Sequence, residues 1–158
     1  MATQPIPEGY HTISTYLAVD DAAEAIDFYK RAFGAKERMR MDAPGGKIGH
    51  AELEIGDSLI MLADPMPQQQ STKSPKQLGA ATGGLFMYTK DVDAAVEKAV
   101  EAGATVEMEP DDMFWGDRFG TVVDPYGHVW SIATHKEDVP PEEMAERAKA
   151  AMAQMANR

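Results

Sequence analysis

Tyr16-Leu17-Ala18-Val19-Asp20-Asp21-Ala22-Ala23-Glu24-Ala25-Ile26-Asp27-Phe28-Tyr29-Lys30-Arg31-Ala32-Phe33-Gly34-Ala35 changes period at its acidic pair. Residues from Thr12 to Val19 alternate as in a strand. Asp21 is placed to cap a helix, with Glu24 three residues on as in a capping box. Ala22, Ala25, Ile26, Tyr29 and Phe33 then recur at helical spacing, and Gly34 supplies a C-terminal stop. The same strand-to-helix passage returns about 70 positions later. Phe86-Met87-Tyr88-Thr89 answers to Tyr16-Leu17-Ala18-Val19, and Asp91, Ala95, Val96 and Ala102 answer to Asp21, Ala25, Ile26 and Ala32. Ile48 to Leu53 is matched with Arg118 to Val123. So long a period, met twice, means two related modules rather than a solenoid.

Working outward, module one spans 11–63. After its helix, strands are expected at Lys36–Met41, Ile48–Ile55 and Ser58–Ala63, with turns at Pro44-Gly45-Gly46 and Gly56-Asp57. Module two spans 81–134. It has a strand at Leu85–Thr89, a helix capped by Asp91 and ended by Gly103, and strands near Thr105–Met108, Phe119–Val123 and Val129–Thr134. Asp124-Pro125-Tyr126-Gly127 is a turn signal between the last two. Each module therefore reads βαβββ, an α+β class. The stretch 64–80, rich in Pro, Gln, Ser and Lys, reads as a surface linker. A helix over 140–156 carries Met144, Ala148, Met152 and Met155 on one face, which needs its own sheet or a partner subunit to cover it. The 158 residues are read as one domain built from the two modules.

Without cysteine there is no disulfide framework and no thiolate chemistry. A formal net charge of −11 argues against a nucleic-acid partner, whose binding rests on neutralising phosphates. No apolar run approaches the roughly 20 residues that span a bilayer, so no membrane partner is expected. Met1-Ala2-Thr3-Gln4-Pro5 lacks the basic and apolar regions of a secretory signal, and the expectation is a cytoplasmic protein.

Tandem βαβββ modules with Ala25-Ile26-Asp27-Phe28-Tyr29 on the first helix and Asp124-Pro125-Tyr126-Gly127-His128 before the last strand resemble the vicinal oxygen chelate superfamily. That superfamily includes glyoxalase I, bleomycin resistance proteins, fosfomycin resistance proteins and extradiol dioxygenases. Met113-Phe114-Trp115-Gly116-Asp117-Arg118-Phe119-Gly120 is most similar to its PhnB-like branch. The resemblance covers residues 11 to 135. It implies an open eight-stranded mixed β-barrel, assembled from two half-barrels within one chain or across a dimer.

Metal-dependent members of the superfamily hold a divalent ion with side chains from the first and last strand of each module. Carried over by resemblance, those positions are Ser14, Met61, Gly84 and Ser131. None is an imidazole or carboxylate, and a thioether suits soft ions. Neither a metal nor any other cofactor is expected.

Strand alternation sends Ala51, Leu53 and Ile55 to the helix-covered face and leaves His50, Glu52 and Glu54 for the concave one. His50 and Glu52 then form an acid–base pair, half of a displaced metal site, or an outer polar edge. The same parity places Tyr16, Met61, Phe86 and Tyr88 in the cavity, and Arg118 with them through its match to Ile48. Trp115 lies on the loop at the mouth. Ligand-binding residues are thus expected at Tyr16, His50, Glu52, Met61, Phe86, Tyr88, Trp115 and Arg118. His11 reads as a cap or surface residue, and His128 and His135 as solvated. No Ser-His-Asp set or phosphate loop is present among these motifs, so no catalytic residue is named.

Two functions follow from the resemblance. One is a metal-independent protein that binds a small amphipathic or aromatic ligand, with Arg118 facing an anionic or carbonyl group. The other is a lyase, isomerase or dioxygenase of the glyoxalase type using a metal displaced to His50 and Glu52. A third reading is a degenerate pocket whose dimer surface serves another partner. A homodimer is expected, since pairing removes exposed strand edges and apolar concave surface.

Overall fold

The computed structural model describes residues 3–68 and 71–156, so residues 69 and 70 of the linker, and Met1 and Ala2 of the N-terminal stretch, lie outside the described residues. Along the chain run β1 (Thr15–Ala18), α1 (Ala22–Phe33), β2 (Lys36–Ala43), β3 (Lys47–Ile55) and β4 (Ser58–Ala63). After a short α2 (Pro75–Leu78) come β5 (Gly84–Tyr88), α3 (Val92–Ala102), β6 (Thr105–Asp112), β7 (Asp117–Val123), β8 (Val129–His135) and α4 (Pro141–Ala156). The strands form two four-stranded mixed sheets, ordered β1-β4-β3-β2 and β5-β8-β7-β6. In each, the first strand pairs parallel with the fourth, and the remaining pairs are antiparallel. The sheets are not hydrogen-bonded to each other, which leaves the eight-stranded barrel open.

One face of each sheet is covered by its module's helix, and α1 and α3 pack together. Ala25, Ile26, Phe28 and Tyr29 of α1, Val92, Val96 and Ala99 of α3, and Leu53, Leu62, Val122 and Ile132 of the sheets belong to one core. Full burial of a side chain such as Ile26 or Phe28 contributes about 1.5–3 kcal/mol.

The two motifs that carried the resemblance meet in space. Asp124 is buried and accepts from the Tyr29 hydroxyl at 2.7 Å, the Trp130 indole N–H at 3.0 Å, and the backbone N–H groups of Tyr126 and His128. Burial and the adjoining Asp124 carboxylate push the Tyr29 phenol well above its ordinary value. Phe33 packs on Trp130 with ring centroids 4.3 Å apart, and Phe28 meets Tyr126 at 6.0 Å. The turn of module two is thus riveted to the helix of module one. His128 joins in by placing Nε2 3.0 Å from the Ala18 carbonyl oxygen, so it is held rather than solvated.

Asp91 caps α3 as expected, accepting from the Ala94 N–H at 3.0 Å. Asp21 does not cap α1: it adopts a left-handed conformation (φ 59°) and its side chain accepts no capping bond. The buried Asp64, just after β4, does the work from a distance. It accepts from the N–H groups of Asp21 (3.0 Å), Ala22 (3.4 Å) and Ile48 (2.8 Å), and from Lys47 Nζ (3.2 Å). In module two the matching position is Thr134, whose Oγ1 accepts from the first helical N–H, of Val92, at 2.9 Å.

The linker is less irregular than its composition suggests. Ser74 and Gln77 form a capping box on α2, and the Ser74 hydroxyl donates to Asp20. Helix α4 has no fully buried residue. Arg147, paired with Glu143 of the same helix, ties it to Glu137 and the Phe114 carbonyl oxygen, while Met152 and Met155 stay exposed. Among the described residues no helix is long and apolar enough to cross a membrane.

Candidate functional site

The sheet faces turned away from the helices carry most of the residues singled out from sequence. On the first sheet, cross-strand register puts Tyr16, Met61 and Glu52 in one row. Met41 lies opposite His50, and Met39 opposite Glu52. The Tyr16 hydroxyl is 3.1 Å from His50 Nδ1, and His50 Nε2 is 3.5 Å from Glu52 Oε1. The Tyr10 hydroxyl, and then His50, hold the Glu52 carboxyl below the usual carboxylate range against a partial burial that opposes them. Burial pushes the Tyr16 phenol up. Arg38, extruded at a register shift in β2, lies over the Tyr10 ring at 5.8 Å.

On the second sheet the same face is aromatic. Phe86 stacks on Phe119 with centroids 5.7 Å apart, Tyr88 lies 5.2 Å from Phe86, and Trp115 meets Phe119 edge-on at 5.8 Å. A buried carboxylate holds this wall. Asp117 Oδ2 accepts from the Tyr88 hydroxyl and the Trp115 indole N–H, each at 3.1 Å, and Oδ1 lies 2.7 Å from His135 Nδ1. The hydrogen bond to Asp117 raises the Tyr88 phenol above its ordinary value. His135 is not simply solvated: its Nε2 lies 2.9 Å from Asp138, and the two carboxylates, Asp117 first, raise it. Gly116 is required here, because at φ 98° a side chain would run into the Glu137 carbonyl oxygen.

Arg118 is not in this set. Its guanidinium makes a bidentate pair with Asp93 of α3, at 2.7 and 2.8 Å, and reaches Asp112 at 3.4 Å. The match of Arg118 with Ile48 holds, since both point to the helix side, but the inferred parity with His50 does not. Opposite β3, Met41 pairs with His50 and Asp42 with Ile48, so Gly49 is extruded as a bulge. One extra residue reverses the alternation, which makes Phe119, not Gly120, the partner of His50. Register confirms it: Glu52 pairs with Met61, and Thr121 with Ser131. Asp117, Phe119, Met39, Met41 and Tyr10 were missed in the sequence reading. Gly49 was the available signal, an isolated glycine within a strand.

Of Ser14, Met61, Gly84 and Ser131, the positions that the resemblance implies for a metal ion in metal-dependent members, Met61 and Ser131 lie on the open faces beside Tyr16 and Phe86. A thioether, two hydroxyls and a glycine do not suit a hard divalent cation. Among the described residues no three His, Cys, Asp or Glu side chains cluster as metal ligands, so His50 and Glu52 stand as two donors only. An open cleft of about 990 Å³ runs between the modules, bordered by Ile13, Ser14, Leu59, Phe86, Tyr88 and Trp130 among others. A smaller one of about 480 Å³ borders Tyr16 and the linker. Within the chain, no hydrogen bond or ring contact among the described residues joins the first open face to the second.

This architecture and its motifs recur in known proteins. Over 134 residues the chain is 44% identical to the uncharacterized protein Rv0887c of Mycobacterium tuberculosis, covering 84% of this chain and 79% of that one. It is 34% identical over 124 residues to the uncharacterized protein At5g48480 of Arabidopsis thaliana, covering 72% of this chain and 71% of that one. The X-ray structure of that Arabidopsis gene product superimposes with a TM-score of 0.64 at 29% identity, over 78% of this chain and 98% of the other. The crystal structure of TioX from Micromonospora sp. ML1 gives a TM-score of 0.62 at 28% identity, over 80% and 99%. The family model described as Glyoxalase/Bleomycin resistance protein/Dioxygenase superfamily matches residues 10–132, which include module one, module two up to the middle of β8, and the Asp124–Tyr29 rivet between them. On that match, and on the shared strand order, the chain belongs to the glyoxalase/bleomycin resistance protein/dioxygenase superfamily.

Proposed function

We propose that the chain is a metal-independent small-molecule-binding protein of the bleomycin resistance type, within the PhnB-like branch, and that it works as a homodimer. Tyr16, His50, Glu52, Met61, Phe86, Tyr88 and Trp115 are its ligand-binding residues, joined by Phe119. The carrying observation is the second open face, where Phe86 and Tyr88 are 55% and 63% exposed although buried Asp117 fixes their surroundings. Aromatic surface that is both held in place and left open suits a ligand more than a core. With Arg118 engaged by Asp93, the expected anionic partner loses its cation. The remaining polar groups favour a planar or amphipathic ligand that is neutral or basic. Face-to-face pairing of two chains would cover the exposed Tyr16, Met41, Phe86 and Tyr88 together.

Native mass spectrometry of the purified protein tests all three parts. A dimer mass, a co-purifying aromatic ligand lost in Tyr88→Ala, and no bound divalent ion are expected. About one manganese, iron, nickel or zinc per chain would overturn metal independence. A monomer by light scattering at micromolar concentration would overturn the dimer.

A further inference from the structure

We propose that the segment from His135 through α4 is a proton-dependent strap on the Phe114–Trp115 loop, and that loss of a proton from His135 loosens it and releases ligand from the aromatic wall. The inference rests on the ligand-binding reading above and gives that site a regulator. The strap grips the loop at three places. The Gly116 carbonyl oxygen accepts from the Lys136 and Glu137 backbone N–H groups, at 2.9 and 3.0 Å, an approach so close that Gly116 has no room for a side chain. Arg147 of α4 donates to the Phe114 carbonyl oxygen at 3.5 Å, and the same guanidinium binds Glu137 back on the lead-in at 2.8 Å. His135 makes the third grip, with Nδ1 2.7 Å from Asp117 at the end of the loop and Nε2 2.9 Å from Asp138 in the strap. The loop so held carries Trp115, whose indole meets Phe119 of the wall and donates to Asp117.

Little else fastens the strap. Helix α4 has no buried residue, so no core packing resists its release. Module one shows that the hairpin itself needs no strap. Its matching turn, at Pro44–Gly46 between β2 and β3, has no helix of this kind across it, and Pro65 stands where His135 does. The contacts of α4 are thus an addition on the side of the exposed aromatic wall, made only in module two.

The switch follows from the hydrogen-bonding capacity of imidazole. Charged, His135 donates from both nitrogens and satisfies Asp117 and Asp138 together. Neutral, it keeps one hydrogen, and its other nitrogen turns a lone pair on a carboxylate. The hydrogen stays with Asp117, which is buried and has no water to turn to. The fully exposed Asp138 is solvated instead and swings away. The other charged groups nearby are engaged elsewhere. Tyr88 of β5 donates to Asp117 and keeps its proton, Glu137 is paired with Arg147, and Lys136 lies toward Asp93 of α3, whose carboxyl it helps hold down. Asp138 stands between Glu137, which grips Gly116, and Pro141, where α4 begins, so its departure is passed to the helix. By reciprocity, a ligand that favours the held loop makes His135 keep its proton more tightly.

The probe is Nile red, an uncharged aromatic dye, titrated by its fluorescence at about pH 6 and about pH 9, on either side of a histidine's range. Wild type should hold the dye about three- to fivefold more tightly at the lower pH, the size of effect an exposed ion pair supplies. Order in the strap is read without ligand, from heteronuclear NOE values of the backbone amides over residues 138–156. They should report a fastened strap at the lower pH and a looser one at the higher. Asp138→Ala changes an exposed side chain and leaves all four histidines in place, so it separates His135 from the others that titrate in this range. It should show the loose strap and the weaker dye binding at both pH values. A strap equally ordered at both in wild type overturns the proposal, as does an Asp138→Ala variant that keeps the wild-type pH dependence. Loosening with unchanged dye affinity overturns the regulation and leaves the binding reading standing. Dye that binds wild type at neither pH counts against the binding reading, and the regulatory role falls with it.

Discussion

Modules one and two share strand order, pairing sense and helix position, yet they differ at the helix start, at the last turn and on the open face. Module one begins its helix on a charged hub, Asp64, with four donors, where module two uses the single hydroxyl of Thr134. Module two closes its last hairpin with Asp124, which reaches into module one, while module one turns on Gly56-Asp57, with Asp57 accepting from the neighbouring Ser58 hydroxyl. The open faces part most clearly: methionine and a polar row in the first, an aromatic wall in the second. Strand order and helix position are repeated, the two carboxylate hubs are structural but unrepeated, and the open faces differ where no core packing fixes the residue. Each of the following experiments breaks one of these asymmetries.

The largest effect is expected at Asp124. Asp124→Ala leaves the Tyr29 hydroxyl, the Trp130 N–H and two backbone N–H groups without their acceptor in the buried contact between the modules. Unsatisfied buried donors cost ~1–3 kcal/mol each, and a loss of about 3–5 kcal/mol is expected by urea denaturation. Asp57→Ala, in the corresponding turn of module one, should stay within about 0.5 kcal/mol. Equal effects would mean that the modules are not joined through this carboxylate.

The helix starts come next. Asp64→Ala should cost about 2–3 kcal/mol, because three backbone donors lose a buried acceptor. Thr134→Ala, which removes one cap bond, should cost about 1 kcal/mol. If the two melting shifts coincide, the hub at Asp64 is no stronger than an ordinary cap.

His135 separates the modules by pH. Its hydrogen bond to Asp117, and then that to Asp138, raise its folded value, so its contribution is fully present below its unfolded value. The contribution fades as pH rises through the raised folded value, that is, from neutral into mildly alkaline solution. Melting temperature should therefore fall over that window in wild type, and fall less in His135→Asn. An unchanged profile in the variant would show that the Asp117 network does not bind that proton more tightly on folding. Position 65, which matches His135 in module one, is Pro65 and has no such group.

Much of this was legible in the chain because hydrophobic periodicity and turn chemistry are local. Helix α1, strand β4 and the Asp91 cap appear where the pattern puts them. Tyr16, His50, Glu52 and Met61 share a face, as do Phe86, Tyr88 and Trp115, because alternation within short strands carries that information. The failures are of another kind. Asp64 caps a helix that starts more than forty positions earlier, and no local pattern announces a partner so far away. Gly49 adds one residue to β3, and a single slip moved Arg118 to the wrong face and hid Phe119 and Asp117.

Arg118 therefore provides the smallest and most selective test. Placed in the cavity, it would anchor an anionic ligand, and Arg118→Ala would abolish selectivity for one. The structure instead pairs it with Asp93 at the first turn of α3 and with Asp112 on β6, on the side away from Phe86 and Tyr88. Exposed pairs are screened and contribute little, so Arg118→Ala should move the melting temperature by no more than about 2 °C, and less still at high salt. Affinity for whatever ligand co-purifies should stay as in wild type. Tyr88→Ala, a change of similar reach on the other face of the same sheet, should weaken that ligand clearly while altering stability little, because the residue is 63% exposed. The pair of variants must be compared in one titration series. Loss of affinity in Arg118→Ala with retention in Tyr88→Ala would put the ligand on the helix side of the second sheet, and would overturn the assignment of the aromatic wall as the binding surface.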